Sequence, residues 1–111
     1  MATLNESDIR GRALDLASLA EYQTNAVVSR TIVDKKIGTV TIFAFDEGQG
    51  LSEHTVPYDA IVQIVEGKAE ITISGRSLTA RAGELVIMPA GEPHSLRAVE
   101  RFKMLLIMIR A

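Results

Sequence analysis

The only imidazoles in the 111-residue sequence belong to His54 and His94, and there is no cysteine beside them. Without a thiol, disulfides, thiolate metal sites, iron–sulfur clusters and cysteine nucleophiles are all excluded. A histidine can still ligate a metal, move a proton or orient a ligand, and its surroundings decide which. In an extended chain, residues two apart share a face. His54 therefore looks the same way as Val56, and His94 the same way as Leu96 and Ala98. Two imidazoles on such apolar faces are expected to point into the interior of a sheet structure. There each must find a partner or cost about 1 to 3 kcal/mol as an unpaired buried polar group. The hydroxyl next to His94 belongs to Ser95, which points to the opposite face, so it forms no nucleophile–base pair.

The elements that must position these side chains are strands. From Val27 to Val33 the period becomes two, and it is clear in Thr39 to Phe45. Glycine-bearing turns follow at Gly38, Gly48, Gly50, Gly67, Gly75, Gly83 and Gly91, a rhythm that belongs to an antiparallel sandwich or barrel. Gly75-Arg76 suits a two-residue hairpin loop with glycine first, joining Ala69–Ser74 to Ser77–Ala80, and Ile71, Ile73 and Leu78 are expected to face the core. Before the strands, Asp15 to Tyr22 reads as one or two helical turns with Asp15 as its cap. The Pro89-Ala90-Gly91-Glu92-Pro93 turn delivers His94 to its strand. The whole is read as one all-β domain over residues 1–111, with a lead-in over 1–26 and the barrel over 27–110.

Two stretches resemble the paired motifs of the cupin family. In the first pattern, G-x5-H-x-H-x3-E-x6-G, Gly48, His54 and Gly67 keep every spacing; in the second, G-x5-P-x-G-x2-H-x3-N, Gly83, Pro89, Gly91 and His94 do so. The resemblance implies an antiparallel β-barrel of jelly-roll type with one inward pocket. In metal-binding members, three histidines and the glutamate converge on one divalent cation such as iron, manganese, nickel or zinc. This chain has Val56 for the second histidine, Ala60 for the glutamate and Ala98 for the closing asparagine. Only His54 and His94 are left as metal ligands. Two neutral nitrogens leave a divalent charge uncompensated, so the reading favours no metal.

The pocket is expected to be lined by His54, His94, Val56 and Ala60, with Met88, Met104 and Met108 as adaptable wall. The function this suggests is small-molecule binding. The alternatives are a metal-dependent dioxygenase or isomerase that uses the two histidines, and a ligand-sensing module for a separate partner. Fold alone does not choose between them.

Composition narrows the partners. Apolar residues make up 47% of the chain and charged ones 23%, with a net charge of -2, so neither disorder nor a nucleic-acid surface is suggested. The basic residues Arg97, Arg101, Lys103 and Arg110 read as a solvated face beside Glu100. No phosphate-binding Gly-x4-Gly-Lys-Ser/Thr run occurs. The first ten residues lack a signal-like apolar core, and the most apolar run, Met104 to Ile109, is far short of the roughly 20 residues that span a bilayer. A cytoplasmic protein without membrane contact is expected. Met104 to Ile109 is also apolar on both parities, so one face can fill the barrel while the other needs a cover. A homodimer is the expected cover, with the N-terminal segment of the same chain as the alternative.

Overall fold

The computed structural model describes residues 9–110, in which nine strands form two antiparallel sheets. They are β1 Val27–Lys35, β2 Gly38–Phe45, β3 Gly50–His54, β4 Ala60–Glu66, β5 Lys68–Ile73, β6 Arg76–Arg81, β7 Leu85–Met88, β8 His94–Arg97 and β9 Phe102–Ile109. The five-stranded sheet has the order β1-β2-β9-β4-β7 and the four-stranded sheet β3-β8-β5-β6. The all-β double-sheet barrel expected from the sequence is present. Residues 1–8 and 111 of the expected single domain lie outside the described residues. Among the described residues, no helix is long and apolar enough to cross a membrane.

Alternation puts Phe45, Val62, Ile64, Phe102 and Met104 of the larger sheet and Ile71, Ile73 and Leu96 of the smaller one into a shared core. Full burial of each of the larger side chains contributes about 1.5 to 3 kcal/mol. The Phe45 and Phe102 rings stack at 4.4 Å between centroids within this core. Beside them, Gly67 turns the chain from β4 to β5 at φ +75°, where an added Cβ would lie 2.1 Å from the Arg101 carbonyl oxygen. Glycine is required there by both backbone conformation and space.

Four local expectations are corrected. The β5–β6 loop is Ser74-Gly75, one residue earlier than expected, because Ile73 pairs with Arg76. Both loop residues have positive φ, +49° and +80°, which makes it a turn of type I′ rather than one with glycine first. Leu78 keeps the inward parity of Ala80, but β6 is an edge strand and Leu78 remains 37% exposed. The lead-in forms a single 3₁₀ turn, Leu16–Leu19, and the Asp15 side chain does not cap it; instead Ser18 donates through N and Oγ to the Asp15 carbonyl. Lys103 is not part of a solvated face. It is buried on the outer side of β9, where Nζ donates to the Ala17 carbonyl at 2.6 Å and lies 4.8 Å from the centroid of the Tyr22 ring.

These last contacts show how one end of the outer sheet face is covered. The N-terminal segment brings Leu16, Leu19, Ala20 and Tyr22 against Ile42, Ala44 and Leu105. Tyr22 donates to Glu66 Oε2 at 2.7 Å, and the Arg101 guanidinium stands 5.1 Å from the Tyr22 ring. Arg101 is itself held by Asp46 Oδ1 at 2.7 Å, while Asp46 Oδ2 accepts from the Asn25 amide. Among the described residues, the lead-in thus covers Leu105 but not the opposite end of the same face.

Candidate functional site

The two histidines meet because their strands pair. In the β3–β8 ladder His54 lies opposite His94, and their rings sit 4.4 Å apart between centroids at an interplanar angle of 71°. The turn that carries His94 is tied to two other segments, the β3–β4 loop and the β5–β6 hairpin, by three hydrogen bonds. Gly91, at φ +78°, donates its amide to the Val56 carbonyl; the Ala90 amide donates to Asp59 Oδ1; and the Ser74 hydroxyl donates to Glu92 Oε1. With the turn fixed by both segments, the imidazole that follows it has a defined place.

Hydrogen bonds also select the tautomers. His54 Nδ1 lies 2.8 Å from the Ser52 carbonyl and His94 Nδ1 lies 3.3 Å from the Glu92 carbonyl. A carbonyl oxygen only accepts, so in the neutral rings both protons are assigned to Nδ1. Each Nε2 is left with a lone pair and has no hydrogen-bond partner among the described residues. His94 is 2% exposed, and burial pushes its pKa below the usual imidazole value, with repulsion from His54 adding to the effect against the opposing hydrogen bond to Glu92. The expectation of two buried imidazoles is corrected for His54, which lines the cavity but stands exposed at its mouth.

The cavity between the sheets is lined by all seven residues read from the sequence: His54, Val56, Ala60, Met88, His94, Met104 and Met108. Leu96 and Leu106, which share the inward faces of β8 and β9, complete the wall together with Leu51. Leu51 escaped the sequence reading for a physical reason. It lies three residues before His54, on the opposite parity, and only the register shift between Leu51 and His54 turns both inward. About 30 Å³ is open to the centre of a water-sized sphere. One water needs roughly 10 to 15 Å³ on the same measure. The space therefore suits a water, an ion or a compact molecule.

The donors do not fit a divalent cation. Among the described residues no three His, Cys, Asp or Glu side chains come together. Glu53 and Gln63 are exposed, and Asp59 is committed to the Ala90 amide. Two imidazoles and an apolar wall offer no carboxylate to balance a double charge.

Comparison with known proteins agrees with the geometry. The Cupin domain family model matches residues 41–110. A conserved protein of unknown function from Streptococcus pyogenes has a solved structure to which this chain is 37% identical, with a TM-score of 0.89 and coverage of 100% of this chain and 96% of that one. A cupin superfamily protein from Desulfitobacterium hafniense is 29% identical at TM-score 0.87, covering 92% and 94%. A cupin 2 conserved barrel domain protein from Leptotrichia buccalis is 35% identical at TM-score 0.84, covering 86% of this chain and 47% of that one. No curated protein matches the sequence.

Proposed function

The chain belongs to the cupin domain family, and we propose that it binds a small molecule of few non-hydrogen atoms in the barrel cavity, oriented by hydrogen bonds to the two histidine Nε2 atoms. The observation that carries this reading is the orientation of the imidazoles. Both Nδ1 atoms face carbonyls, so two acceptors are presented to a cavity whose remaining wall is Leu, Val, Ala and Met. Apolar cavities with a few placed polar groups are the usual form of a ligand site. Two lone pairs without a positive charge favour a hydroxyl or amine donor over an anion. The metal-dependent dioxygenase or isomerase reading lacks such support, because the third nitrogen and the carboxylate are Val56 and Ala60.

The small volume sets the size of the guest. Ordinary drug-sized pockets run to roughly 300 to 1,000 Å³, so a larger molecule enters only if the wall yields. Met108 is half-buried and unbranched, the kind of side chain that swings aside at low cost.

The protein is further proposed to work as a homodimer, supported by the uncovered part of the outer sheet face. Val33, Val40, Ile107, Ile61 and Ile87 lie opposite one another in register across all five strands. Ile87 is 53% exposed and Ile109 52%, beside shallow depressions of about 380 and 310 Å³. Such a continuous apolar strip favours a self-complementary partner.

The binding reading is tested by titrating protein labelled with nitrogen-15 histidine against ethylene glycol, catechol and methylammonium. A saturable shift of both Nε2 resonances with at least one probe is expected. No saturable shift with any of them, together with no small molecule retained in native mass spectrometry, would overturn it.

A further inference from the structure

We infer that the ligand of the cavity carries a carbonyl acceptor as well as a hydroxyl donor, and that Thr39 Oγ1, now shut behind Met108, is the group that binds the carbonyl. The inference rests on the reading of the cavity as a small-molecule site and narrows its guest to compact hydroxycarbonyl compounds. Its basis is an orphaned polar atom. Thr39 on β2 is 9% exposed, and its hydroxyl oxygen is closed to solvent without a hydrogen-bond partner. Buried polar groups are nearly always paired, because an unmet hydrogen bond costs free energy that a methyl group in the same place would not. Valine, a strong strand former, would fill the position equally well. The hydroxyl therefore calls for a partner that the folded chain does not supply.

Strand register shows where that partner comes from. Ile42 and Ala44 of β2 face outward under the lead-in, whereas Phe45 belongs to the core between the sheets with Phe43 packed against it. Thr39 shares the parity of these phenylalanines and faces inward. It lies opposite Met108, and Met108 in turn lies opposite Ala60. Directly opposed residues project to the same face. Met108 therefore stands in one row between Thr39 and Ala60, and both Met108 and Ala60 line the cavity. On its other side Thr39 lies opposite Asp34, which is exposed and does not bond to it. Movement of the unbranched Met108 side chain thus joins Thr39 to the cavity and enlarges the space in the same step. The enlarged site presents the two Nε2 acceptors from the smaller sheet and a hydroxyl donor from the larger one. A ligand hydroxyl donates to an imidazole while its carbonyl accepts from Thr39.

The test compares two pairs of probes that differ only in the carbonyl oxygen: hydroxyacetone with methallyl alcohol, and 4-hydroxybutanone with isoprenol. In each pair a terminal methylene replaces the oxygen. Each probe is titrated into the full chain labelled with nitrogen-15 histidine, and saturation of the Nε2 shifts gives Kd. In at least one pair the ketone is expected to bind about tenfold or more tightly than its alkene, because a site hydroxyl penalises the analogue that cannot pair with it. Thr39→Val is expected to abolish that preference while leaving the Kd of the alkene unchanged, and Thr39→Ser to keep it. A thermal melt at or above the parent's shows that the valine variant is folded; should it melt early, Thr39→Ala carries the same expectation. Equal affinity within both pairs for the parent, or a preference that survives in the folded valine or alanine variant, overturns the proposal. In either case saturable shifts with the alcohols leave the small-molecule reading standing. Silence toward all four probes overturns the hydroxycarbonyl assignment, and the binding reading falls with it only if its own probes and native mass spectrometry are silent too.

Discussion

Putting back the two missing family ligands, Val56→His with Ala60→Glu, should convert the cavity into a divalent-metal site. Both positions line it beside His54 and His94, so the change adds a third nitrogen and a compensating carboxylate on the same wall. The cost falls mainly at Ala60, which is 2% exposed and flanked in register by Met88 and Met108. Four further non-hydrogen atoms, three of them a carboxyl group, must fit where about 30 Å³ is open. Overpacking of this kind costs about 1 to 3 kcal/mol. For a domain of this size that lowers Tm by roughly 5 to 20 °C, taking 4 to 8 °C per kcal/mol. Val56 is only partly buried and adds little. Zn(II) at 100 times its Kd returns about 2.7 kcal/mol, a rise of roughly 10 to 20 °C. Differential scanning fluorimetry of parent and variant, with and without Zn(II) and after chelation, reads both effects. A folded variant with no metal-dependent rise beyond the parent's would refute the reasoning, because it would mean that donor identity is not what the cavity lacks.

Ile107→Glu places a charge in the middle of the apolar row on the outer face, and light scattering at micromolar concentration is expected to show a dimer for the parent and a monomer for the variant; a monomeric parent would sink the dimer proposal. The pH dependence of stability should carry a contribution from Asp46, whose carboxyl is held below the usual range by the Arg101 guanidinium and by the Asn25 amide. A depressed folded-state pKa means that the unfolded chain binds the proton first. The stability is therefore complete above the unfolded value of about 3.9 and is lost as pH falls through the lower folded value. Urea unfolding of the parent and Asp46→Asn below pH 5 should give curves that converge as the pH drops, and a constant gap would count against the ion pair as its source.

Much of the architecture was legible because it depends on local physics. Alternation has a period of two whatever a strand packs against, so the inward positions Ile71 and Ile73 of β5 could be read directly from its residues, whereas β9 is apolar on both parities and alternation alone did not choose its inner face. Positive φ is costly for other side chains, so glycines at 67, 83 and 91 marked real turns. The hairpin loop was displaced by one residue because Ser74 accepts a positive φ that its type does not advertise. Leu51 was missed because a bulge inverts parity without a sequence signal. Leu78 stayed partly exposed because edge position is a property of the sheet and not of the strand.

For the candidate site, strand parity placed His54 and Val56 on one face and His94 and Leu96 on another, and the resemblance to the cupin motifs implied which donors are missing. Only the tertiary structure decided that His94 is buried while His54 stands exposed, since β8 lies inside the smaller sheet and β3 at its edge. It also decided the tautomers, because the Ser52 and Glu92 carbonyls that accept the Nδ1 protons are aimed by the bulge and the turn. How far the described part of the lead-in reaches over the outer face was likewise beyond the sequence. Two-sided apolarity says that a cover is needed, but the reach of Lys103 to Ala17 and of Tyr22 to Glu66 sets how far the cover extends. Contacts between residues 86 and 44 positions apart arise from the path of the folded chain, and no local pattern encodes them.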